Sequence, residues 1–523
     1  AAPAADIDYL RGRSLFAQRQ PQRALEICQR ALRNPASPAN EMEFRMLYGQ
    51  ILRALDQPEA VEQFAHAAAL AEELQPDRLL AIAPSWVEAL EAEERYQEAA
   101  QVCQSWRDKL GKDGEVEPVG ESLLAHLRQY LAVGQEQRAA ELAQEGLNAW
   151  LAAASGQLTA LGSWPDRLQA EILLAQQQPA EAFRQLERNT RRAIKGRSAA
   201  RPPFETELRA RSLLALVDPL RAKPEIDTLV KSIYGPQTKA GIAWRLAYAQ
   251  LHSDETGDLR QAADYQRQAQ ENALDPVSQV RCELLRIRLL ARQGHQEQAQ
   301  SAANALATRA DLPRLPSLRL LVHLEDLIQR GAAEAWQPLL AALQAVEPAS
   351  RRLLLLAELR RCRVPLAISP AISQALLALL PPSDAEGSDP ALGALRWAEV
   401  LRVIGQGQEA RRLLEQAAAA CRAPLRLAVL RQVYCALDRA GWEQAALQQV
   451  TLDELAEPAA GERHELAGLT LLEHGERLAA ALHDGQRAMD LLNAAEVLLK
   501  STAGLWMARI IALRARVAAL SGD

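Results

Sequence analysis

The chain has 523 residues; 49% are hydrophobic but only 4% are aromatic, and the formal net charge is −6. Ala, Leu, Gln, Glu and Arg favour helix, while strand-forming β-branched and aromatic residues are sparse, which argues for an all-α chain and against a sheet. The acidic balance gives no basis for direct nucleic-acid binding, and no apolar run reaches the roughly 18 residues of a membrane span.

The first predicted element is DYLRGRSLFAQRQPQRALEICQRALRNP, with Gly12 in one helix and Ala24, Cys28 and Ala31 along the next. A turn residue followed by small residues at +5, +9 and +12 then recurs along the chain. It reads Gly134, Ala139, Ala143 and Gly146, then Gly294, Ala299, Ala303 and Leu306, then Gly405, Ala410, Leu414 and Ala417. Taking the +5 position as anchor gives Ala24, Ala60, Ala99, Ala139, Ala182, Ala262, Ala299, Trp336, Ala410 and Ala446. Two gaps are nearly double the others. Their midpoints hold Ala222, Ile226 and Leu229, and Ala371, Ala375 and Ala378, which fill in two degenerate units near 203–235 and 351–380. Ala24 to Ala446 thus spans eleven intervals of about 38 residues, a period typical of helix-pair repeats.

Before each turn lies a second amphipathic stretch, as in LLAHLRQYLAVG, CELLRIRLLARQG and LRLAVLRQVYCALDRAG. The unit is therefore helix A, a tight turn, helix B and a variable loop. Glycine suits the left-handed backbone that ends helix A, and where it is missing Gln-Pro stands instead, at Pro21, Pro58 and Pro179. Small residues at 0 and +7 of helix B let helix A approach, with a larger one at +4 filling the groove.

These spacings resemble the tetratricopeptide repeat, from about Tyr9 to Val450. Units here run longer than that family's usual 34 residues, and Leu replaces most of its helix-A aromatics. The resemblance implies a right-handed α-solenoid of about 13 helix-turn-helix repeats, and a concave groove that holds a protein or peptide. Residues 1–380 form one superhelix on this reading, 381–393 (within LPPSDAEGSDPALG) a loop or hinge, and 394–523 further repeats. After Gly475 two phases compete, one on Ala480 and one on Gly485. The closing LWMARIIALRARVAALSGD reads as a helix A without its helix B, which points either to more protein beyond it or to packing of that helix on something else.

Chemistry is thin. Six cysteines form no CxxC, eight histidines form no metal-binding spacing, and phosphate-loop, dinucleotide and nucleophile-elbow motifs are missing, so no catalytic, cofactor or metal residue is nominated. Cys28 and Cys103 fall at +4 and read as packing residues, Cys362 lies among arginines, and most of the nine tryptophans read as core fillers. One charge feature stands out: Arg188, Arg191, Arg192, Lys195, Arg197 and Arg201 form a run without an acid, suited to an acidic peptide or another anion. A second group, Arg351, Arg352, Arg360, Arg361 and Arg363, is scattered by helix geometry. The resulting expectation is a non-enzymatic interaction scaffold or sensor in a larger bacterial signalling or regulatory protein, located in the cytoplasm. An AAPAAD start also fits a mature periplasmic scaffold for envelope assembly or polysaccharide export.

Overall fold

The computed structural model describes residues 2–18, 20–55, 57–110, 116–153, 163–176, 178–195, 203–216, 218–361, 366, 368–382 and 390–420, with scattered residues between 472 and 518. It is all-α, and among the described residues there is no strand. Contacts divide the chain into two compact units, Ala1–Ile172 and Leu173–Asp523.

Unit 1 is built from antiparallel pairs. They are α1 (Ala2–Ala17) with α2 (Pro21–Arg33), α3 (Pro38–Ala54) with α4 (Ala60–Leu74), α5 (Arg78–Ala92) with α6 (Tyr96–Leu110), and α7 (Val116–Ala132) with α8 (Glu136–Ala153). The boundary falls within α9 (Trp164–Ala175). Unit 2 continues with α10 (Pro179–Lys195), then the pairs α11 (Pro203–Ala215) with α12 (Pro219–Thr228) and α13 (Lys239–Leu251) with α14 (Leu259–Asn272). Next come α15 (Pro276–Arg292) with α16 (Gln296–Ala307), and α17 (Pro316–Arg330) with α18 (Trp336–Ala345). After α19 (Ala349–Leu356) and α20 (Pro370–Ala378), α21 (Pro390–Val403) pairs with α22 (Gly407–Ala420). Several helices start on a capped Pro: Ser37 before Pro38 accepts from Asn40 N–H, and Asp275 before Pro276 accepts from Ser278 N–H.

One backbone hydrogen bond recurs at the turn inside most of the pairs, though not between α13 and α14 or between α17 and α18. His295 N–H donates to Leu290 C=O at 2.9 Å, and Gln135 to Tyr130 and Gln406 to Leu401 do the same. This six-to-one bond needs a left-handed residue just before its donor, supplied by Gly134, Gly294 and Gly405 with φ of 76°, 88° and 81°. At Gly294 and Gly405 an added Cβ would meet nothing within 4 Å, so the backbone alone demands glycine there. Elsewhere the bond persists without glycine. Glu94 takes φ 59° beneath Arg95 N–H···O=C Leu90, and Gln20, Gln57, Gln178 and Asp218 make it just before or near a proline.

Small residues on the second helices face inward. Ala24, Ala60, Ala99, Ala139, Ala182, Ala222, Ala262, Ala299 and Ala410 are buried, as is Trp336 in the same place on α18. At +4 stand the buried Cys28, Phe64, Cys103, Ala143, Leu186, Ile226, Gln266, Ala303 and Leu340. Gly146, at +7 on α8, shows why size is limited there, since a Cβ would collide with Leu123 of α7. Within each unit the described residues thus form antiparallel helix pairs that carry this buried stripe, the helix-turn-helix repeat that the spacing predicts.

One unit departs from the predicted register. Ala371, Ala375 and Ala378 of α20 are exposed. The inward residues are Leu376, fully buried, with Ile372, Leu377 and Leu379 packed against the same core. Both registers fit a 0, +4, +7 spacing, and the one that buries Ile and Leu removes more apolar surface from water, roughly 0.8 kcal/mol per methylene. Of the proposed loop 381–393, residues 383–389 lie outside the described residues, as do Gly441, Ala446, Ala480, Gly485 and most of the closing LWMARIIALRARVAALSGD.

Candidate interaction surface

First helices of consecutive pairs touch: α1 with α3, α3 with α5 and α5 with α7 in unit 1, and α13 through α15, α17 and α19 to α21 in unit 2. Polar side chains one repeat apart cross these junctions. Tyr9 donates its hydroxyl to Glu43 at 3.0 Å, and Glu43 also pairs with Arg78. Arg53 pairs with Glu88, and Gln129 donates to Glu91. In unit 2, Arg288 Nε lies 3.0 Å from Glu325 Oε2 while its Nη2 lies 3.2 Å from Glu358. Gln329 donates to the second Glu325 oxygen at 2.7 Å, and Gln296 and Gln300 donate to the Gln329 carbonyl. Glu325 is completely buried, so its charge is held by these donors rather than by water. Burial, followed by the Glu43 charge, pushes the Tyr9 hydroxyl up to about 12, which keeps it a donor.

The basic run falls on the end of α10. Arg188 is exposed, while Arg191, Arg192 and Lys195 continue the helix with side chains outside the described residues; Arg197 and Arg201 lie wholly outside them. The second arginine group dissolves into structural roles. Arg351 is buried and donates to Ser317 Oγ, and Arg352 donates to the carbonyls of Val346 (2.7 Å) and Leu379 (2.8 Å). Arg352 therefore ties the residues that follow α18 and α20 together. Side chains of Arg360 and Arg361 are outside the described residues, as is Arg363 altogether.

The nominated repeat residues separate into joints and fillers. Gly134, Gly294 and Gly405 sit at turns, Ala139, Ala143, Ala299, Ala303 and Ala410 are buried, and Leu414 and Ala417 lie on α22 with side chains outside the described residues. Burial raises the Cys28, Cys103 and Cys282 thiols to about 12, far from the thiolate a nucleophile needs. Cys362 lies outside the described residues. Trp106, Trp150, Trp336 and Trp397 are buried, with Trp86, Trp164 and Trp244 partly so. His66 and His295 are exposed, and burial lowers the pKa of His126, His252 and His323. His464, His474 and His483 are outside the described residues. Among the described residues, no three His, Cys, Asp or Glu side chains gather as a metal site.

Two irregularities had no sequence signal. α12 runs on into a π-helical segment, Leu229–Tyr234, and α13 into another, His252–Thr256. Beside them Tyr248 meets both His252 and Tyr265 edge-on, at 4.7 and 4.8 Å between ring centroids. An open recess along α14, lined by Asp258, Arg260, Gln261, Asp264, Tyr265 and Gln268, adjoins this cluster. Its acids are already engaged: Asp258 caps α14 through Gln261 N–H, and Asp264 pairs with Arg267. Among the described residues, no helix is long and apolar enough to cross a membrane.

Comparison with known proteins adds little to this geometry. No protein-family model matches the chain, and no curated protein matches it. Among solved structures, the crystal structure of the APC/C hetero-tetramer Cut9–Hcn1 is similar over 98% of this chain and 96% of the matched one, at 12% identity and a TM-score of 0.28. So low a score carries no functional argument, and the fold rests on the repeated helix pairs themselves.

Proposed function

We propose that the chain is a non-enzymatic protein–protein interaction scaffold or sensor, a module of a larger bacterial signalling or regulatory protein. The observation that carries this reading is that, among the described residues, the buried thiols and several buried acids serve to join or pack repeats. Buried thiols fill grooves and buried acids hold arginines, so what is left to act is surface. Its partner is a protein or peptide lying in the groove the repeat implies, along the first helices. The basic run Arg188, Arg191, Arg192, Lys195, Arg197 and Arg201 supplies an acidic-partner contact.

The test is affinity capture from the native cell with cross-link mapping, repeated with Arg191, Arg192 and Lys195 reversed to Glu. A partner that cross-links to first helices, and binds more weakly and with less salt dependence after reversal, supports both parts. A partner held equally by both chains removes the basic contact. Catalytic turnover by the purified chain removes the scaffold reading.

A further inference from the structure

Charge separates along the first helices of unit 2. From their middles onward the arginines are paired: Arg286 with Glu283, Arg288 with Glu325 and Glu358, Arg292 with Asp254, and Arg330 with Asp326. At their starts they are not. Arg245 on α13, Arg281 on α15, and Arg314 and Arg319 at the start of α17 form no ion pair among the described residues. Arg281, Arg314 and Arg319 are exposed and Arg245 is half-buried. Arg319 donates to the Leu312 and Pro313 carbonyls, and Arg245 to the Pro236 carbonyl, bonds that orient a guanidinium without neutralising it.

Nothing local accounts for this placement. A helix favours acids at its start and cations at its other end. The first turns of α13, α15 and α17 nevertheless hold no acid. Most acids close by are engaged elsewhere: Asp227 pairs with Lys223 and Lys231, Asp275 caps α15, and Asp311 pairs with Arg309. Glu271 and Glu347 are exposed and offset only part of the positive charge.

Alternate helices in a stack of antiparallel pairs run the same way. Because α13 touches α15 and α15 touches α17, their starts share one edge of unit 2. Packed helices lie about 8–10 Å apart. A chain in the polyproline-II conformation advances about 3.1 Å per residue, so every third side chain returns to the same face after about 9 Å. We propose that this edge binds an acidic segment of a partner protein, extended and carrying a carboxylate at every third residue, one for each first helix it crosses. Guanidinium forks suit carboxylates in just this way. A membrane or a nucleic acid spreads its charge broadly and also meets the acids that give the chain its net charge of −6, whereas a narrow segment meets the edge alone. The inference rests on the scaffold reading and adds a contact separate from the basic run on α10.

Fluorescence anisotropy on the full 523-residue chain provides the test, with two labelled peptides of equal composition. One repeats Glu-Pro-Ser, and the other gathers its glutamates in a single block. The repeating peptide should bind more tightly than the block peptide and be released by salt. Arg281→Glu/Arg314→Glu should weaken it about tenfold or more, and Arg281→Gln/Arg314→Gln by less. Reversal of Arg191, Arg192 and Lys195 to Glu should leave it unchanged. Arg281 and Arg314 are exposed, so thermal melts of both double variants should match wild type. Absence of binding overturns the proposal, as does equal affinity for the two peptides or binding that survives both double variants. Binding lost only on the α10 reversal overturns it too, while leaving the proposed function standing. Tighter binding of phosphatidylserine vesicles or single-stranded DNA, lost with the same two arginines, gives the edge to another partner and overturns it as well.

Discussion

Arg288 on α15 holds two carboxylates from further along the chain, Glu325 on α17 and Glu358 just after α19, at 3.0 and 3.2 Å. Its guanidinium therefore links three consecutive repeats through one buried charge. Removing one partner of such a pair leaves the other charged and buried, at a cost of about 3–5 kcal/mol. Glu325→Ala should lower unfolding free energy by that order in urea titration. The double variant Glu325→Leu/Arg288→Met should recover much of the loss. A cost below about 1 kcal/mol for Glu325→Ala would mean that water reaches the pair.

Gly294 and Gly146 predict different failures. Gly294→Ala meets no neighbour but forces a side chain into left-handed backbone at φ 88°, costing about 1 kcal/mol, and Gly294→Asn should cost less. Gly146→Ala drives a methyl into Leu123, and trimming that neighbour with Leu123→Ala should relieve the clash. No rescue of Gly294→Ala by trimming is expected, because nothing surrounds it. Denaturant midpoints of the four variants separate strain from crowding.

His126 makes unit 1 acid-sensitive. Burial, reinforced by the Arg107 and Arg138 charges, brings its pKa from 6.5 down to about 4. Above pH 6.5 neither folded nor unfolded chain protonates it, so it costs nothing. Between about pH 6.5 and 4 the unfolded chain takes up a proton that the folded chain refuses, and stability falls by roughly 3 kcal/mol. His126→Gln should flatten that limb in pH-dependent melts. An unchanged limb would place the acid sensitivity elsewhere.

Thiol mapping tests the packing role of the cysteines. With thiols raised to about 12, Cys28, Cys103 and Cys282 should stay unlabelled by iodoacetamide at pH 8 in the native chain and react fully in denaturant. Rapid native labelling of any of the three, read by peptide mass spectrometry, would contradict its burial.

Much of the fold was legible because its two signals are local. A glycine before a small-residue stripe marks a joint, and the stripe at Ala139–Ala143 or Ala299–Ala303 marks the face that closes on it. α20 was misread because Ala371 and Ile372 begin equally good stripes, and only the larger buried area of Ile372 and Leu376 decides between them. The junction charges were not legible at all. Arg288 and Glu325 are 37 residues apart, and which face of each helix they occupy depends on rotation that no local pattern encodes. The basic run was visible from composition alone, since no neighbouring acid breaks it.

The six-to-one turn has a consequence for ancestry. Glycine at 294, glutamate at 94 and Gln-Pro at 20–21 all end in the same main-chain bond. A joint written in peptide groups is insulated from side-chain drift. Successive units can change nearly every residue and still hinge alike, so the architecture outlasts the similarity by which relatives would be recognised.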